Sequence, residues 1–378
     1  MDPITITHSL GSYPVHVEPG ALLSLPEIAA HTFRARRLVL ITDETVSRLY
    51  DEWTSATASA RRLGARASDA GIRLRCEARL TFPAGEAFKT RDTWIRLTDE
   101  MLALGLGRDS AVIAIGGGVV GDVAGFVAAT YMRGLPCAQV PTTLLAMLDA
   151  SVGGKVGVDT PHGKNLIGAF HPPAFVVADP LTVINLPDRH YRAGLAEAVK
   201  HGLIADRAYF EWIESRARTL VAKDLEALTY LIRRSVEIKA AIVGEDERES
   251  GRRATLNAGH TVAHALERES GYRLPHGEAV ALGLIAECRM AERLGLAPKG
   301  LGDRLTRVLS ALGLPKRVRE SLPPARVRAA MSMDKKNREG AVRFALPIEL
   351  GAMHQGDGTW TVPVEPQAIE EALATIIT

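Results

Sequence analysis

The sequence predicts an α/β N-terminal domain with a mostly parallel sheet, followed by a mainly α-helical C-terminal domain. The β-branched runs Arg37–Thr42 and Ala111–Ile115 have the composition of buried strands, and Lys89–Leu106 between them has helical apolar spacing. Strands that alternate with helices form parallel sheets covered on both faces. We therefore expect residues 1–186 to form the α/β domain and residues 187–378 to form the helical domain.

The segments that follow fit this division. Ala138–Pro141 has the composition of a short strand that runs into a Thr-Thr turn and another helix. From Tyr191 to about Leu312 the pattern is almost entirely helical, with amphipathic runs at Asp224–Val243 and Gly277–Leu294. The last two predicted elements are the strand Ala341–Leu346 and the helix Pro366–Ile377.

Composition argues against several classes of protein. Hydrophobic residues make up 46% of the chain and charged residues 24%, which is typical of a globular protein and not of a disordered one. The net charge of +2 lacks the basic excess of a nucleic-acid binder. The sequence has no signal-peptide pattern at its start and no apolar run of membrane-spanning length. The widely spaced Cys76, Cys137 and Cys288 are expected to be buried thiols in a reducing cytoplasm.

A glycine-rich turn follows the predicted strand Ala111–Ile115. Its sequence, Gly116 to Asp122, fits G-x-G-x-x-G, in which small residues let backbone amides approach a pyrophosphate at a helix N-terminus. The pattern alone is equally typical of a tight strand–helix turn that binds nothing. It also departs from the Rossmann fingerprint, because no acidic residue lies about twenty positions later on a second strand.

Polar residues near other predicted strand ends favour a dinucleotide site. Asp43 follows the first strand, and Glu86 and Lys89 form a predicted polar pair just before a helix. Thr142 and Thr143 follow the strand Ala138–Pro141. Each residue alone is more often a helix cap or a solvated charge. Because ligands of α/β sheets collect at the ends of successive strands, a shared role in binding a dinucleotide is favoured.

Histidine spacing indicates a metal site in the helical domain. His260 and His264 stand at i and i+4 of a helical stretch, which puts both imidazoles on one face. His276 begins another helix, and Glu197 lies on an earlier one. A lone histidine is usually a surface or core residue. Three histidine or carboxylate ligands that leave a fourth position open are, however, typical of a catalytic Zn²⁺ site. Spacing leaves open which three bind, and the alternatives are His201 and Glu278.

Isolated polar and cationic residues recur in apolar or glycine-rich surroundings. One group lies in and before a predicted glycine-rich loop and comprises Asp149, Lys155, Lys164 and Asn165. A second group lies along the helical domain and comprises Lys200, Lys239 and Arg253. Charge runs usually form solvated faces, whereas single cations in such surroundings suit an anionic substrate with phosphate and carboxylate groups. With a dinucleotide and a metal, they indicate oxidation of a secondary alcohol in a sugar phosphate.

At these residues the sequence resembles the dehydroquinate synthases over nearly its whole length. The motifs that carry the resemblance are GGGVVGDVAGFVAATYMRG, VPTTLLAMLDASVGGKVGVDTPHGKNLIGAF, GLAEAVKHGLI, RATLNAGHTVAHALE and LPHGEAVALG. The resemblance implies a phosphate-eliminating carbon–oxygen lyase that converts 3-deoxy-D-arabino-heptulosonate 7-phosphate to 3-dehydroquinate, in the shikimate route to aromatic amino acids. NAD⁺ would transiently oxidise the C5 hydroxyl, phosphate would leave by β-elimination, and re-reduction would precede an intramolecular aldol closure.

The resemblance also implies roles for residues of the metal and substrate site. The ligands of Zn²⁺ or Co²⁺ would be Glu197, His260 and His276, and His264 would be a polar catalytic group. Arg133 would reach the substrate phosphate from a neighbouring subunit, which implies a homodimer. One of Lys335 and Lys336 would join the site. The other substrate contacts would be Asp149, Lys155, Asn165, Lys200, Lys239, Arg253 and Asn257.

The resemblance places the cofactor on the α/β domain. Residues at several strand ends would hold NAD, namely Asp43, Glu86, Lys89, Gly118, Val119, Val120, Gly121, Asp122, Thr142, Thr143, Lys155, Lys164, Thr182 and Asn185. The sequence departs from the family at two positions. Members often carry Thr where Asn185 stands and Glu where His190 stands, and both positions lie in a turn that the resemblance assigns to the cofactor side.

Other functions have to be weighed on the same scaffold. Cyclases that form valiolone or deoxy-inosose alter some of the positions held here by Lys239, Asn257 and His264, so these residues favour a carboxylated substrate. The sequence does not separate an aminated analogue of that substrate from the ordinary one. A polyol or glycerol phosphate dehydrogenase would release NADH and would need fewer cations. A non-catalytic NAD-binding protein would have lost site residues that this chain retains.

Overall fold

A computed structural model describes residues 1–51, 75–318, 322–332 and 342–377. The chain divides into two compact units, Met1–Asn185 and Leu186–Thr378. The boundary predicted from the sequence lies one residue later. The assignment of cofactor binding to one unit and metal binding to the other stays a prediction.

The first unit is built on one sheet of seven strands. In chain order its strands are β1 (Ile4–His8), β2 (Gly11–Val17), β3 (Arg37–Asp43), β4 (Arg75–Phe82), β5 (Ser110–Gly116), β6 (Cys137–Pro141) and β9 (Phe175–Ala178). Their order across the sheet is β1-β2-β9-β6-β5-β3-β4. Every neighbouring pair is parallel except β1 and β2, which form an antiparallel hairpin that the sequence analysis missed. The predicted mostly parallel sheet is confirmed.

The sheet separates two hydrophobic cores because successive residues of a strand point to opposite faces. Leu38 and Leu40 pack into one core, and Val39 and Ile41 pack into the other. The helices in the described part of this unit are α1 (Leu25–Thr32), α2 (Glu44–Leu49), α3 (Arg91–Ala103) and α4 (Gly118–Thr130). Residues of α1 belong to the first core, whereas residues of α3 and α4 belong to the second. Both faces of the central strands are therefore covered, which explains their uniformly apolar sequences.

The segment that carries Lys155, Lys164 and Asn165 is a β-hairpin, so the prediction of a glycine-rich loop is wrong here. Its strands, β7 (Lys155–Thr160) and β8 (Gly163–Phe170), pair antiparallel. A Cβ atom on Gly157 would lie 2.6 Å from the carbonyl oxygen of Ile167. Glycine in this segment therefore permits close pairing of two strands and does not mark a loop.

The second unit is mainly helical, as predicted. Its helices are α5 (Asp188–Ala205), α6 (Arg207–Val221), α7 (Leu225–Glu245), α8 (His260–Glu269), α9 (His276–Arg293), α10 (Leu301–Ala311), α11 (Pro324–Ser332) and α12 (Pro366–Ala374). Aspartates mark two of the helix starts. Asp206 accepts a hydrogen bond from the amide of Tyr209, and Asp224 accepts one from the amide of Ala227. Each carboxylate satisfies an amide that has no partner within its own helix.

The C-terminal part contains short strands that the sequence pattern did not resolve. They are β10 (Arg343–Phe344), β11 (Pro347–Glu349), β12 (Ala352–Met353) and β13 (Val362–Pro363). The strand predicted at Ala341–Leu346 is thus shorter than expected, and Ala341, Lys335 and Lys336 lie outside the described residues. The three cysteines are free and buried, as predicted. Among the described helices, none has the length and apolar character needed to cross a membrane.

Candidate active site

Three helices of the second unit bring Glu197, His260 and His276 together. Oε1 of Glu197 lies 3.7 Å from Nε2 of His260 and 3.6 Å from Nε2 of His276. Ligand atoms about 2.0–2.1 Å from a tetrahedral Zn²⁺ stand roughly 3.4 Å apart. The three atoms therefore have the chemistry and nearly the spacing that a divalent metal ion requires.

The local sequence explains why these side chains meet. Each histidine is the first residue of its helix, His260 after Gly259 in α8 and His276 after Pro275 in α9. Gly259 adopts the left-handed conformation, with φ of +79°, which turns the chain into α8 and favours glycine. Glu197 lies in the middle of α5 and is fully buried, so its carboxylate needs a cation or hydrogen-bond donors.

Hydrogen bonds orient both imidazole rings. Nδ1 of His276 lies 3.3 Å from Oε1 of Glu267, and Nδ1 of His260 lies 3.1 Å from the carbonyl oxygen of Ala258. An acceptor at Nδ1 keeps a proton on that nitrogen and leaves Nε2 to face the carboxylate of Glu197. This is the arrangement in which histidine binds a metal ion through Nε2.

The two histidines differ in protonation when no metal is bound. Burial and the neighbouring Lys200 hold the pKa of His260 well below its usual value. Burial also acts to lower the pKa of His276, but its contacts with Glu197 and Glu267 outweigh burial and raise the pKa to about 9. A metal ion that binds at neutral pH would therefore displace a proton from His276.

The structure also places the alternative ligands, Glu278 and His201, and the neighbouring His264. Glu278 pairs with Arg189 at 2.7 Å, so the geometry favours Glu197 as the carboxylate of the cluster. His201 is fully buried in α5. His264 lies one helical turn after His260, with the two ring centroids 5.6 Å apart. His264 also belongs to a second group of potential ligands, in which its partners are Glu267 and His276.

The predicted cations of the second unit are buried. Lys200 is 1% exposed, Arg253 2% and Lys239 6%. Lys200 pairs with Glu197, and the guanidinium of Arg253 donates to the carbonyl oxygen of Glu247. Removing cations from water is costly unless anions or hydrogen-bond acceptors compensate. Glu197 and the carbonyl oxygen of Glu247 provide such compensation, and three buried cations in one unit are compatible with a site that binds an anion.

Sequence reasoning missed two carboxylates in the segment that precedes Arg253. Asp246 accepts hydrogen bonds from the amides of Ser250 at 2.9 Å, Gly251 at 2.8 Å and Arg253 at 2.9 Å. An aspartate at a helix end before Ser-Gly is a weak turn signal that could have indicated Asp246. Glu249 has a φ of +60° and accepts a hydrogen bond from the side chain of Asn257, a pairing that no local pattern reveals.

The predicted cofactor residues follow neighbouring strands at one edge of the sheet. Asp43 lies opposite Phe82, the last residue of β4, and Gly116 lies opposite Pro141. Because these strands are parallel and their last residues are paired, β3, β4, β5 and β6 end at the same edge of the sheet. The residues that lie at or follow these ends are Asp43, Glu86, Lys89, the segment Gly117–Asp122, Thr142 and Thr143. Beyond β9 the chain continues to Thr182, which is buried, and to Asn185.

The glycine turn has both a packing role and a binding geometry. Helix α4 begins at Gly118, directly after β5, and no described side chain caps it. Its N-terminal amides therefore form an anion-binding position of the kind that holds a pyrophosphate. A Cβ atom on Gly121 would lie 2.6 Å from Oε1 of Gln139, whose Nε2 donates to the carbonyl oxygen of Gly121 at 3.0 Å. Gly121 is therefore needed for packing as well.

Two ion pairs around this edge involve Lys89 and Glu86, the two residues of the predicted polar pair. Nζ of Lys89 pairs with Oδ2 of Asp122 at 2.5 Å, and Nζ of Lys164 pairs with Glu86 at 3.1 Å. Lys89 is 4% exposed, so a partner that is itself half-buried compensates it better than a solvated one. Asp43 caps α2, because its Oδ1 accepts from the amides of Thr45 and Val46.

Most of the remaining predicted residues of the first unit lie on irregular backbone, whereas Lys155 lies on a strand. Asp149 is in a single π-helical turn, Ala146–Ala150, and Lys155 begins β7. Asn165 has a φ of +53° and its amide donates to Oδ1 of Asp159. Arg133 is exposed and has a φ of +68°. Left-handed backbone at residues other than glycine is uncommon and concentrates at functional sites.

Comparisons with known proteins place the chain among proteins of one family. The family models described as 3-dehydroquinate synthase N-terminal and C-terminal match residues 79–193 and 194–337. A protein named 3-dehydroquinate synthase from Symbiobacterium thermophilum is 44% identical over 366 residues, which cover 96% of this chain and 98% of the relative.

Two solved structures share the fold over nearly the whole chain. One is 2-deoxy-scyllo-inosose synthase complexed with carbaglucose-6-phosphate, NAD⁺ and Co²⁺, with 27% identity, a TM-score of 0.87 and coverage of 98% of this chain and 99% of that one. The other is 2-epi-5-epi-valiolone synthase from Streptomyces hygroscopicus with NAD⁺ and Zn²⁺, with 30% identity, a TM-score of 0.83 and 98% coverage of both chains. From the sequence relatives and the two family models, the chain belongs to the 3-dehydroquinate synthase family.

Proposed function

We propose that the chain converts 3-deoxy-D-arabino-heptulosonate 7-phosphate to 3-dehydroquinate and inorganic phosphate, with NAD and one divalent metal ion as cofactors. The observation that carries the proposal is the convergence of Glu197, His260 and His276 in a unit that also buries Lys200, Lys239 and Arg253. The proposal is supported by relatives named 3-dehydroquinate synthase, whose similarity extends over almost the entire chain.

Glu197, His260 and His276 would hold the metal ion, either zinc or cobalt, and the edge of the parallel sheet would hold NAD. When bound, NAD supplies reversible oxidation of a secondary alcohol, and the metal ion polarises that alcohol. The closeness of His260 and His276 to the carboxylate of Glu197, and their hydrogen bonds at Nδ1, support this choice of ligands.

The residues of this chain would bind and orient the substrate. Arg253 and Lys239 would bind the carboxylate and phosphate by charge-assisted hydrogen bonds. His264 would hold or transfer a proton beside the reacting hydroxyl, since it lies one turn from His260. Asn257 would donate to a substrate hydroxyl. Further contacts are proposed, on the resemblance alone, for Asp149, Lys155, Asn165 and Arg133.

We further propose that the protein works in the cytoplasm as a homodimer. The three buried cysteines form no disulfide, which is typical of a reducing compartment. The exposed Arg133, on left-handed backbone, is in keeping with a residue that reaches a neighbouring subunit. Light scattering of the purified protein tests the dimer, and a monomer at working concentration would contradict it.

The deciding assay measures phosphate release from 3-deoxy-D-arabino-heptulosonate 7-phosphate by metal-loaded protein with catalytic NAD⁺. Absorbance of NADH is followed in the same cuvette. Many turnovers of phosphate without accumulated NADH are expected. Stoichiometric formation of NADH would instead indicate a dehydrogenase. If neither phosphate nor NADH is formed, the substrate assignment is wrong, and sugar phosphates without a carboxylate should be tested next.

Two variants test the metal assignment within this assay. His260→Ala should lose metal binding and activity together, whereas Glu278→Gln should retain both because Glu278 pairs with Arg189. Full activity of His260→Ala would remove His260 from the ligand set.

A further inference from the structure

Helices α8 and α9 each combine a proposed metal ligand with a buried carboxylate. In both helices the ligand is the first residue, His260 in α8 and His276 in α9. The carboxylates lie further along, Glu267 in α8 and Glu287 in α9, and are 2% and 1% exposed. A buried carboxylate is costly unless its charge and acceptor sites are used. The catalytic roles proposed above use neither residue.

The two carboxylates reach across to the partner helix. Oε1 of Glu267, near the end of α8, lies 3.3 Å from Nδ1 of His276 at the start of α9. Oε2 of Glu287, in the later part of α9, accepts a hydrogen bond of 2.6 Å from the amide of Gly259, the residue before His260. Each helix therefore contacts the ligand-bearing end of the other through one carboxylate.

Close backbone packing between α8 and α9 holds these two contacts in place. A Cβ atom on Gly259 would lie 2.9 Å from Cγ of Leu284 and 3.0 Å from the carbonyl oxygen of Val280, both in α9. A Cβ atom on Gly283 would overlap the carbonyl oxygen of Gly259. Because the backbones touch here, the amide of Gly259 has little freedom to leave Glu287.

We propose that Glu267 and Glu287 are positioning residues that set the affinity and geometry of the metal site, Glu267 by orienting His276 and Glu287 by fixing the chain at His260. The inference rests on the metal site proposed above. A carboxylate that accepts from Nδ1 fixes the ring and makes Nε2 a stronger donor to a metal ion. Their negative charges also offset the charge that the metal ion brings into a buried site.

The test titrates Co²⁺ into metal-free protein and records both the dissociation constant and the visible absorption of the bound ion. Glu267→Ala should raise the dissociation constant about 10- to 100-fold, the usual effect of losing such a partner, and shift the absorption band. Glu267→Gln keeps an oxygen that can accept from Nδ1 but loses the charge, so its effect should be smaller than that of Glu267→Ala. Glu287→Gln should also weaken binding. Circular dichroism of the metal-free variants verifies that they are folded.

The matched control is Glu269→Gln, the same substitution two residues away in α8. Glu269 pairs with Arg326 at 2.9 Å and contacts neither proposed ligand through that pair. Its variant should bind Co²⁺ like the unchanged chain. An equal loss of Co²⁺ affinity in Glu269→Gln would show that the effect comes from the change in net charge alone, and it would overturn the inference.

The outcomes separate this inference from the proposed function. If His260→Ala abolishes Co²⁺ binding while folded Glu267→Ala, Glu267→Gln and Glu287→Gln stay within about twofold of the unchanged chain, the positioning roles are refuted and the metal site stands. If the unchanged chain binds no Co²⁺, the metal site itself fails and the positioning roles fail with it. A graded loss in which Glu267→Ala exceeds Glu267→Gln supports the inference.

Discussion

Oε1 of Glu197 lies 3.6 Å from Nε2 of His276, although α5 carries one side chain and α9 carries the other. The two helices approach this closely because Gly277 packs against the backbone of Ala193. A Cβ atom at Gly277 would overlap the carbonyl oxygen of Ala193, and backbone atoms cannot yield as a flexible side chain can. The spacing of two proposed metal ligands thus depends on a residue that has no side chain.

Gly277→Ala is therefore expected to weaken metal binding. The added methyl group has to separate α5 from α9, which moves His276 away from Glu197. Overpacking of this kind costs about 1–3 kcal/mol, and the same amount lost from the metal site would lower affinity roughly 5- to 150-fold. Titration with Co²⁺ and urea unfolding measure the two effects.

The control for this substitution is Gly302→Ala in α10. A Cβ atom there would lie 3.1 Å from Cδ of Arg289, whose flexible side chain can move. Metal affinity of this variant should match that of the unchanged chain. Unchanged affinity in Gly277→Ala would show that the helices can adjust without moving the ligands.

Asp246→Asn is expected to lower stability and to weaken substrate binding. Burial raises the pKa of Asp246, but hydrogen bonds from the amides of Ser250, Gly251 and Arg253 outweigh burial and hold the pKa below its usual value. An asparagine retains one acceptor oxygen in place of two, so part of the loop loses its anchor. Since Asp246 is only partly buried, the expected loss is about 1 kcal/mol of unfolding free energy, together with a higher KM for the substrate.

The difference in unfolding free energy between the unchanged chain and Asp246→Asn should depend on pH. A carboxyl whose pKa is depressed on folding contributes stability above its unfolded pKa and loses it as the pH falls through its folded pKa. The gap between the unchanged chain and Asp246→Asn should therefore be constant above about pH 4 and shrink below it. Urea unfolding across this range measures the gap, and a gap that widens in acid would contradict the assignment.

The central strands could be predicted from the sequence because their surroundings are uniform. Six of the seven residues of β3 and all seven of β5 are buried, so Leu38–Ile41 and Ala111–Ile115 are apolar on both faces. The histidines were also found locally, since His260 and His264 share one helix face and His276 starts a helix. Such features depend only on neighbours along the chain.

The supporting contacts depend on packing between distant segments, so the sequence alone did not reveal them. Glu267 and Glu287 have the spacing of ordinary helical acids, and only the docking of α8 on α9 brings them to His276 and Gly259. Glu249 likewise meets Asn257 through left-handed backbone. The hairpin of β7 and β8 was missed because glycine is typical of loops as well as of strands that pair unusually closely.

Arg253→Lys is expected to raise the KM for substrate while leaving metal affinity unchanged. The guanidinium donates to the carbonyl oxygen of Glu247, and in the proposed function it also binds the substrate anion. Lysine cannot serve both partners in the same planar geometry. Loss of one charge-assisted hydrogen bond, about 1.5–3 kcal/mol, corresponds to roughly a 10- to 150-fold change in KM. Arg252→Lys is the control, because Arg252 pairs with Glu245 at 2.8 Å on the neighbouring surface and should show no change.

Lys89→Met is expected to destabilise the first unit and to weaken NAD⁺ binding. Burial acts to lower the pKa of Lys89, but the charges of Asp122 and Glu86 outweigh burial and raise it, so the ammonium remains charged at neutral pH. Methionine has a similar length without the charge, and Asp122 loses its Lys89 partner in a half-buried position at the start of α4. Breaking such a pair costs about 3 kcal/mol when it is well buried.

A double variant separates the two effects of Lys89. In Lys89→Met/Asp122→Asn the uncompensated carboxylate is gone, so urea unfolding should recover part of the lost stability. Calorimetric titration should nevertheless show weak NAD⁺ binding, because both proposed cofactor contacts have been changed. If the double variant regains stability and binds NAD⁺ like the unchanged chain, Lys89 and Asp122 form a structural ion pair and have no part in holding the cofactor.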